Sequence, residues 1–373
     1  MLITVISEIE LGSPRAHAIN VVKTAGGFQR LGHEVIVICR RPADGRSAEE
    51  AAADYAEPDL RFVFAPEGLE RAEDPGEAFG IWASRAVSSI RPDLIYARTF
   101  WAPLICAERG LPTILETHAY AGDTNPLLLA CLKAAVGPPV ATLRVVTISA
   151  RLRDYYLSCG ASPNRVHIVP DGVDLDLFAP PDGTPAGDGP VTYAGHLYDY
   201  KGVPTILGAA REAPHIPFDL VGGLPEDIAR NARRIRKMRL DNVTVRGRLP
   251  HAKVPPLLWN ASALLLPPSA REPSKDWTSP VKLGEYLAAG PPIVASDIPA
   301  LRDWVDEPVV RWFTPDNPRS LIDAVEGALG ESAIQRGARR ERAERLARRF
   351  SYPERARAIL EAARIDGELA QSA

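Results

Sequence analysis

Residues 277–296 read W-T-S-P-V-K-L-G-E-Y-L-A-A-G-P-P-I-V-A-S: a loop, a short helix, an abrupt stop and a buried strand. Ser279 suits the N-cap, Pro280 the first helical position and Gly290 the position just past the end, while Pro291 and Pro292 prevent continuation. Free N–H groups at such a helix start attract phosphate oxygens, and the helix dipole favours the same charge. Glu285 lies about 9 Å further along the axis than Ser279, at about 1.5 Å per residue. A diphosphate at the helix start would leave a ribose beside that carboxylate, which can accept from both ribose hydroxyls. A second reading stays open: Glu285 pairs with Lys282 one turn earlier, for about 0.2–0.5 kcal/mol.

Outward from this stretch, helix-like segments alternate with short apolar runs. The second half offers strands at Val191–Ala194, Phe218–Val221, Val243–Arg246, Ala263–Leu266, Ile293–Ala295 and Val309–Trp312. The first half offers Leu2–Ser7, Glu34–Cys39, Leu94–Ala97, Thr113–Glu116, Val145–Ser149 and Val166–Val169, with helices at Ala16–Leu31 and Glu77–Ser89. Such alternation predicts parallel, doubly wound α/β sheets. Residues 179–190, A-P-P-D-G-T-P-A-G-D-G-P, are saturated with turn formers and read as a linker. The spacing predicts a first domain over 1–178 and a second over 191–350. Arg336–Arg349 interleaves Glu341 and Glu344 and reads as a solvated helix face, with a last helix over Glu354–Leu369.

A chain of 373 residues with 46% apolar content can bury two cores of ordinary size. A net charge of −3 from 44 basic and 47 acidic residues gives no pull toward nucleic acid. No run of about 18 apolar residues occurs, so no transmembrane span is expected. The start M-L-I-T-V-I-S lacks a basic region and reads as a buried strand rather than a signal peptide. Cys39, Cys106, Cys131 and Cys159 sit far apart without zinc spacing, and isolated thiols fit a reducing cytoplasm.

A second informative stretch is Val191–Gly202, V-T-Y-A-G-H-L-Y-D-Y-K-G. An apolar strand ends at Gly195, and Lys201-Gly202 precede a helix-like run. Here the chain resembles the family-4 retaining glycosyltransferases of bacterial type. Their second domain opens with a strand, a G-R turn and a K-G pair, and later places a glutamate before an A-x-G-x-P-V-V-A-S strand. The counterparts are Gly195-His196, Lys201-Gly202, Glu285 and the run Ala289–Ser296.

The resemblance implies the GT-B plan: two Rossmann-like domains facing each other across a cleft, with a tail over 353–373 returning to the first. It implies transfer of a sugar from a nucleoside-diphosphate sugar, with retention. His118, which follows the strand Thr113–Glu116, would bond the donor sugar and shield charge. Lys201 would stabilise the leaving diphosphate. Gly12-Ser13 keep half of the family's Gly-Gly pair, and Arg15 and His17 would point toward the acceptor side, as would Arg98 more weakly. Gly222 would let the nucleotide approach the backbone, and Arg248-Leu249 match the turn that contacts the base. Ser279, Val281 and Lys282 would form the donor-binding helix start.

This chain departs from the family at two places. His196 stands where a partnering arginine is usual, so it is kept as a hydrogen-bond donor only. Trp277 stands eight positions before Glu285, where many members carry a second glutamate; the nearest acids are Asp276 and Glu272. The donor base and sugar therefore stay open. No D-x-D in a metal-site context occurs, so no metal or cofactor is expected. The acceptor, a small molecule or a lipid- or saccharide-linked one, would meet first-domain loops such as 119–126, with peripheral membrane contact left open. Two alternatives remain: a sugar-nucleotide epimerase of the same fold, and a non-catalytic nucleotide-sugar-binding protein. A dinucleotide dehydrogenase is disfavoured, because no G-x-G-x-x-G follows the first strand.

Overall fold

The computed structural model describes residues 1–57, 59–118, 120, 143–184, 187–279, 281–305 and 308–364. They form two units, Met1–Gly172 joined by the chain from Tyr352 onward, and Val173–Ser351.

The first unit is built on β1 (Leu2–Glu10), β2 (Glu34–Arg40), β3 (Arg61–Phe64), β4 (Leu94–Ala97), β5 (Thr113–Thr117), β6 (Leu143–Thr147) and β7 (Val166–Ile168). The order is β3-β2-β1-β4-β5-β6-β7, with every pair parallel. Strands β4, β5 and β6 are buried along their whole length, as strands covered on both faces are, and β5 and β6 carry Glu116 and Arg144 into that buried layer. Strand order reverses between β1 and β4, and ligands of such sheets bind beyond the carboxyl ends at that point. Helix α1 (Ala16–Arg30) covers one face, and α2 (Pro75–Ile90) starts with Asp74 capping the Glu77 N–H and Pro75 in the first turn.

Strand β1 runs to Glu10, past the expected end at Ser7. Ser149, expected to end a strand, instead caps a helix over Ala150–Ser158. Strand β3, R-F-V-F, lies at the sheet edge with no fully buried residue, so its apolar signal is short and weak. The last helix spans Tyr352–Arg364; its expected continuation to Leu369 lies outside the described residues. It packs on α1, where a Cβ at Gly27 would stand 2.5 Å from the Tyr352 carbonyl oxygen.

The second unit holds β8 (Val191–Ala194), β9 (Phe218–Val221), β10 (Val243–Gly247), β11 (Leu264–Leu266), β12 (Ile293–Ser296) and β13 (Val310–Phe313). Their order is β10-β9-β8-β11-β12-β13, again parallel throughout, with the reversal between β8 and β11. The boundary differs from the one expected at 178. Val173 and Phe178 bury in the second core, so the chain changes unit after Gly172, before the turn-rich segment. The Arg-rich helix is also not wholly solvated. Arg339 is buried, donating to Glu331 and to the Gly290 carbonyl.

Candidate active site

In the first unit, three expected residues come together where β1, β4 and β5 end. Arg98 follows β4 and its Nη2 donates to His118 Nδ1 at 2.9 Å. A guanidinium can only donate, so Nδ1 accepts and the His118 proton sits on Nε2. That Nε2–H donates to Glu116, whose other oxygen accepts from Arg355. Both ring nitrogens of His118 are thus occupied within the protein, and the expected bond from its ring to a sugar is not open in this arrangement. Arg98 has the spare capacity, because its buried Nη1 meets no partner among the described residues. His17 Nε2 lies 3.3 Å from Ser7 Oγ, beside the same cluster.

Burial first, and the Arg98 charge second, hold His118 down to about 3. His17 is pushed down as well, by partial loss of solvent around its ring and then by the Arg98 charge, although the residue as a whole is exposed. In the unfolded chain a histidine titrates near 6.5, so unfolding takes up a proton between about 6.5 and 3, and stability falls as pH falls through that window. In His118→Gln, the slope of unfolding free energy against pH at pH 5 should shrink by about 1.4 kcal/mol per pH unit. Urea unfolding over pH 4–6 reads this, and an unchanged slope would mean that His118 charges freely in the fold.

Glu116, His118 and Asp171 bring ligand atoms within 4.8 Å of one another. The trio does not fit a cation. Both Glu116 oxygens accept from protein donors, His118 Nε2 carries its proton, and Asp171 accepts from Asn20 at 2.6 Å. The turn after β1 is also packed by protein. Ser13 O accepts from Tyr55, and a side chain at Gly12 would meet Arg46. Arg15 is exposed at the start of α1, which has no side-chain cap. The loop 119–126 lies outside the described residues except for Tyr120.

In the second unit, Asp199–Lys201 form one 3-10 turn and Gly202 opens a helix over Val203–Glu212. A Cβ at Gly202 would stand 1.7 Å from the Pro267 carbonyl oxygen, just past β11. Lys201 is thereby pinned at the reversal point of the sheet. Burial pushes its ammonium down and Glu272 pulls it back. Its Nζ sits 5.3 Å from the Tyr200 ring centre, and among the described residues no carboxylate pairs with it. The His196 ring stacks on Tyr198 at 5.0 Å and is pushed down by burial, then by Lys201, with Arg248 and Lys282 acting the same way against Asp227. Lys201, Arg248 and Lys282 thus each disfavour a proton on the His196 ring.

Glu285 is buried and accepts from Lys282 at 2.6 Å. The local pairing is real, and it leaves Oε1 without a partner among the described residues. The Lys282 pairing therefore occupies one carboxylate oxygen and leaves the other to accept. Gly222 is held by other backbone. Its N–H donates to Gly247 O at 2.7 Å and a Cβ there would meet Gly195 O at 2.3 Å, so the N–H is taken by the protein and the glycine is needed for the approach of two strand ends. Leu249 is half-buried against the core, Ser279 is buried, and Val281 and Lys282 form the described first turn of the helix to Ala289. Pro280 lies outside the described residues.

Sequence reasoning missed Glu116 and Arg355. A faint signal existed for each: a carboxylate inside the apolar run T-I-L-E-T, and an arginine sharing a helical stripe with Ile359 and Ala362, both buried.

Residues 19–177 match the family model described as Glycosyltransferase Family 4, and residues 189–331 match that of Glycosyl transferases group 1. The chain is a GT-B-fold glycosyltransferase related to these two families, taking its sugar from a nucleoside-diphosphate sugar. D-inositol 3-phosphate glycosyltransferase 1 of Catenulispora acidiphila is 26% identical over 369 residues, covering 85% of each chain. The crystal structure of Anabaena HepE in complex with UDP superposes with TM-score 0.73 at 16% identity, covering 97% of this chain and 99% of that one. Sucrose-phosphate synthase from Thermosynechococcus elongatus gives TM-score 0.75 at 18% identity, covering 98% of both. Among the described residues no helix is long and apolar enough to cross a membrane.

Proposed function

We propose that the chain transfers a sugar with retention of anomeric configuration, working in the cytoplasm on an acceptor that meets its first unit. The observation that carries this reading is Lys201, held beside the end of β11 by the Gly202–Pro267 contact and without a carboxylate partner among the described residues, while Arg248 and Lys282 act with it on the His196 ring. As the bond from the anomeric carbon to the β-phosphate oxygen breaks, negative charge gathers on the diphosphate. Fixed cations stabilise that charge more than the ground state. The acceptor oxygen bonds the anomeric carbon on the same face, and its proton passes to the departing phosphate. No protein nucleophile is required, and side chains rather than a metal meet the charge.

On this reading Glu285 Oε1 accepts from a ribose hydroxyl, while Arg98 with His118 serves the acceptor side together with Arg15 and His17. The unpaired thiols of Cys39, Cys106 and Cys159 support a reducing compartment. Polyol phosphates, after the inositol phosphate named for the relative, and UDP-glucose, named for a HepE complex, are the first acceptor and donor to assay. Turnover of a labelled nucleotide sugar with an acceptor tests the reading, and donor binding with no turnover across such a panel would favour a scaffold. Glu285→Gln should weaken donor binding by about 1–3 kcal/mol. The loss should shrink for a donor lacking ribose hydroxyls, and calorimetry showing equal losses would assign Glu285 to Lys282 alone.

A further inference from the structure

We propose that Arg355, carried by the returning helix, is a positioning residue for the transfer: through Glu116 it fixes the Nε2–H tautomer of His118, and through His118 the guanidinium of Arg98, whose Nη1 is left to meet a substrate oxygen. The inference rests on the reading that this strand end takes part in the reaction.

Arg355 is 3% exposed and ends in a ring of fixed acceptors. It donates to Thr24 Oγ1 at 3.3 Å, Val169 O at 2.9 Å, Tyr96 Oη at 3.2 Å, and to Pro170 O and Glu116 Oε2. These groups come from α1, β4, β5 and the segment after β7, so the tail helix locks four elements at the carboxyl end of one sheet. With Arg355 donating to one Glu116 oxygen and His118 to the other, the carboxylate is fixed as a double acceptor. That fixes the proton on Nε2 and leaves Nδ1 to accept from Arg98. The other charged or titratable groups facing this chain are Asp171, His17 and Tyr352.

Each bond in the series depends on the one before it. A buried carboxyl that loses its guanidinium takes up a proton and becomes a donor. His118 Nε2 would then have to accept, its proton would move to Nδ1, and Nδ1 could no longer accept from Arg98. The spare Nη1 of Arg98 is the end of this series. A buried guanidinium nitrogen left unpaired is costly, and an oxygen of the substrate, most strongly a phosphate or carboxylate oxygen, would satisfy it.

Arg355→Lys keeps a charge but cannot serve all of these acceptors. It is expected to lower kcat roughly 10- to 100-fold, the scale of a small misplacement at a reacting group, with donor KM unchanged. Nitrogen chemical shifts of the His118 ring should leave the Nε2–H pattern in the same variant. Glu116→Gln, in which Arg355 stays in place, should displace the His118 signals in the same way and serves if the Arg355 variant does not fold. Wild-type kcat in folded Arg355→Lys, or His118 signals unmoved in both variants, would overturn the inference. Donor protection of the wild type against thermal unfolding, measured alongside, tests the functional reading separately, since the histidine signals report whether or not that reading holds.

Discussion

Lys201→Ala is expected to lower turnover by about 10²-fold or more while leaving the fold as stable as the wild type. A cation about 4 Å from a diphosphate oxygen, at an effective dielectric near 20, interacts by about 4 kcal/mol per unit charge. Hydration trims that figure, and only the share gained as the leaving group becomes charged appears in kcat; about 2.7 kcal/mol of it suffices for 10²-fold. Stability should hold for a separate reason. No carboxylate among the described residues pairs with Lys201, and burial already pushes its ammonium down, so its removal orphans no acid. A surface lysine would leave both turnover and stability unchanged, and a structural ion pair would give a loss of stability. Lys201→Arg should recover part of the rate, because charge survives while reach and shape change. Full activity in Lys201→Ala would remove the second-unit assignment, whatever the fold.

The parts of this molecule that could be read from the sequence are those set by local chemistry. Leu94–Ala97, Val191–Ala194 and Phe218–Val221 were legible to the residue, since strands buried on both faces leave short, mostly apolar runs bounded by turn or loop residues. Strand β3 was not, because an edge strand needs to hide little. The turn formers of 179–190 announced a loop but not which core would take Phe178, since that choice depends on what the helix over Leu175–Phe178 packs against. Lys201-Gly202 was legible through the resemblance to the family's K-G pair, since a lysine beside a glycine is common; the left-handed Gly202 that opens the helix emerged only from the fold. Gly222 announced a close approach without naming its partner, which proved to be Gly195. The Arg355–Glu116 bond joins residues 239 positions apart, and no local pattern encodes such a pair. The tautomer of His118, and with it the question of which side chain can reach a substrate, follows from that distant pair.

Gly202→Ala is expected to destabilise the second unit by about 2–5 kcal/mol. Roughly 1–2 kcal/mol comes from holding a residue with a Cβ in the left-handed region, and about 1–3 kcal/mol from overpacking. The backbone there has φ 85°, and the new Cβ would lie 1.7 Å from the Pro267 carbonyl oxygen and 3.0 Å from Pro267 Cβ. Neither side can yield cheaply. Pro267 follows β11 in the middle of the sheet, and the Gly202 carbonyl accepts the Thr205 and Ile206 N–H groups that start the helix. Relief must therefore come from lifting the turn over Asp199–Lys201, which carries the Lys201 ammonium away from the end of β11. Urea unfolding should show the lower midpoint, and turnover should fall by more than the unfolded fraction accounts for. Gly337→Ala is the matched control. It lies in the helix over Ala333–Arg349 with open space around its Cβ position, and should be neutral or stabilising by up to about 1 kcal/mol. A Gly202→Ala chain with wild-type stability and wild-type turnover would mean that the Pro267 contact does not hold Lys201 in place.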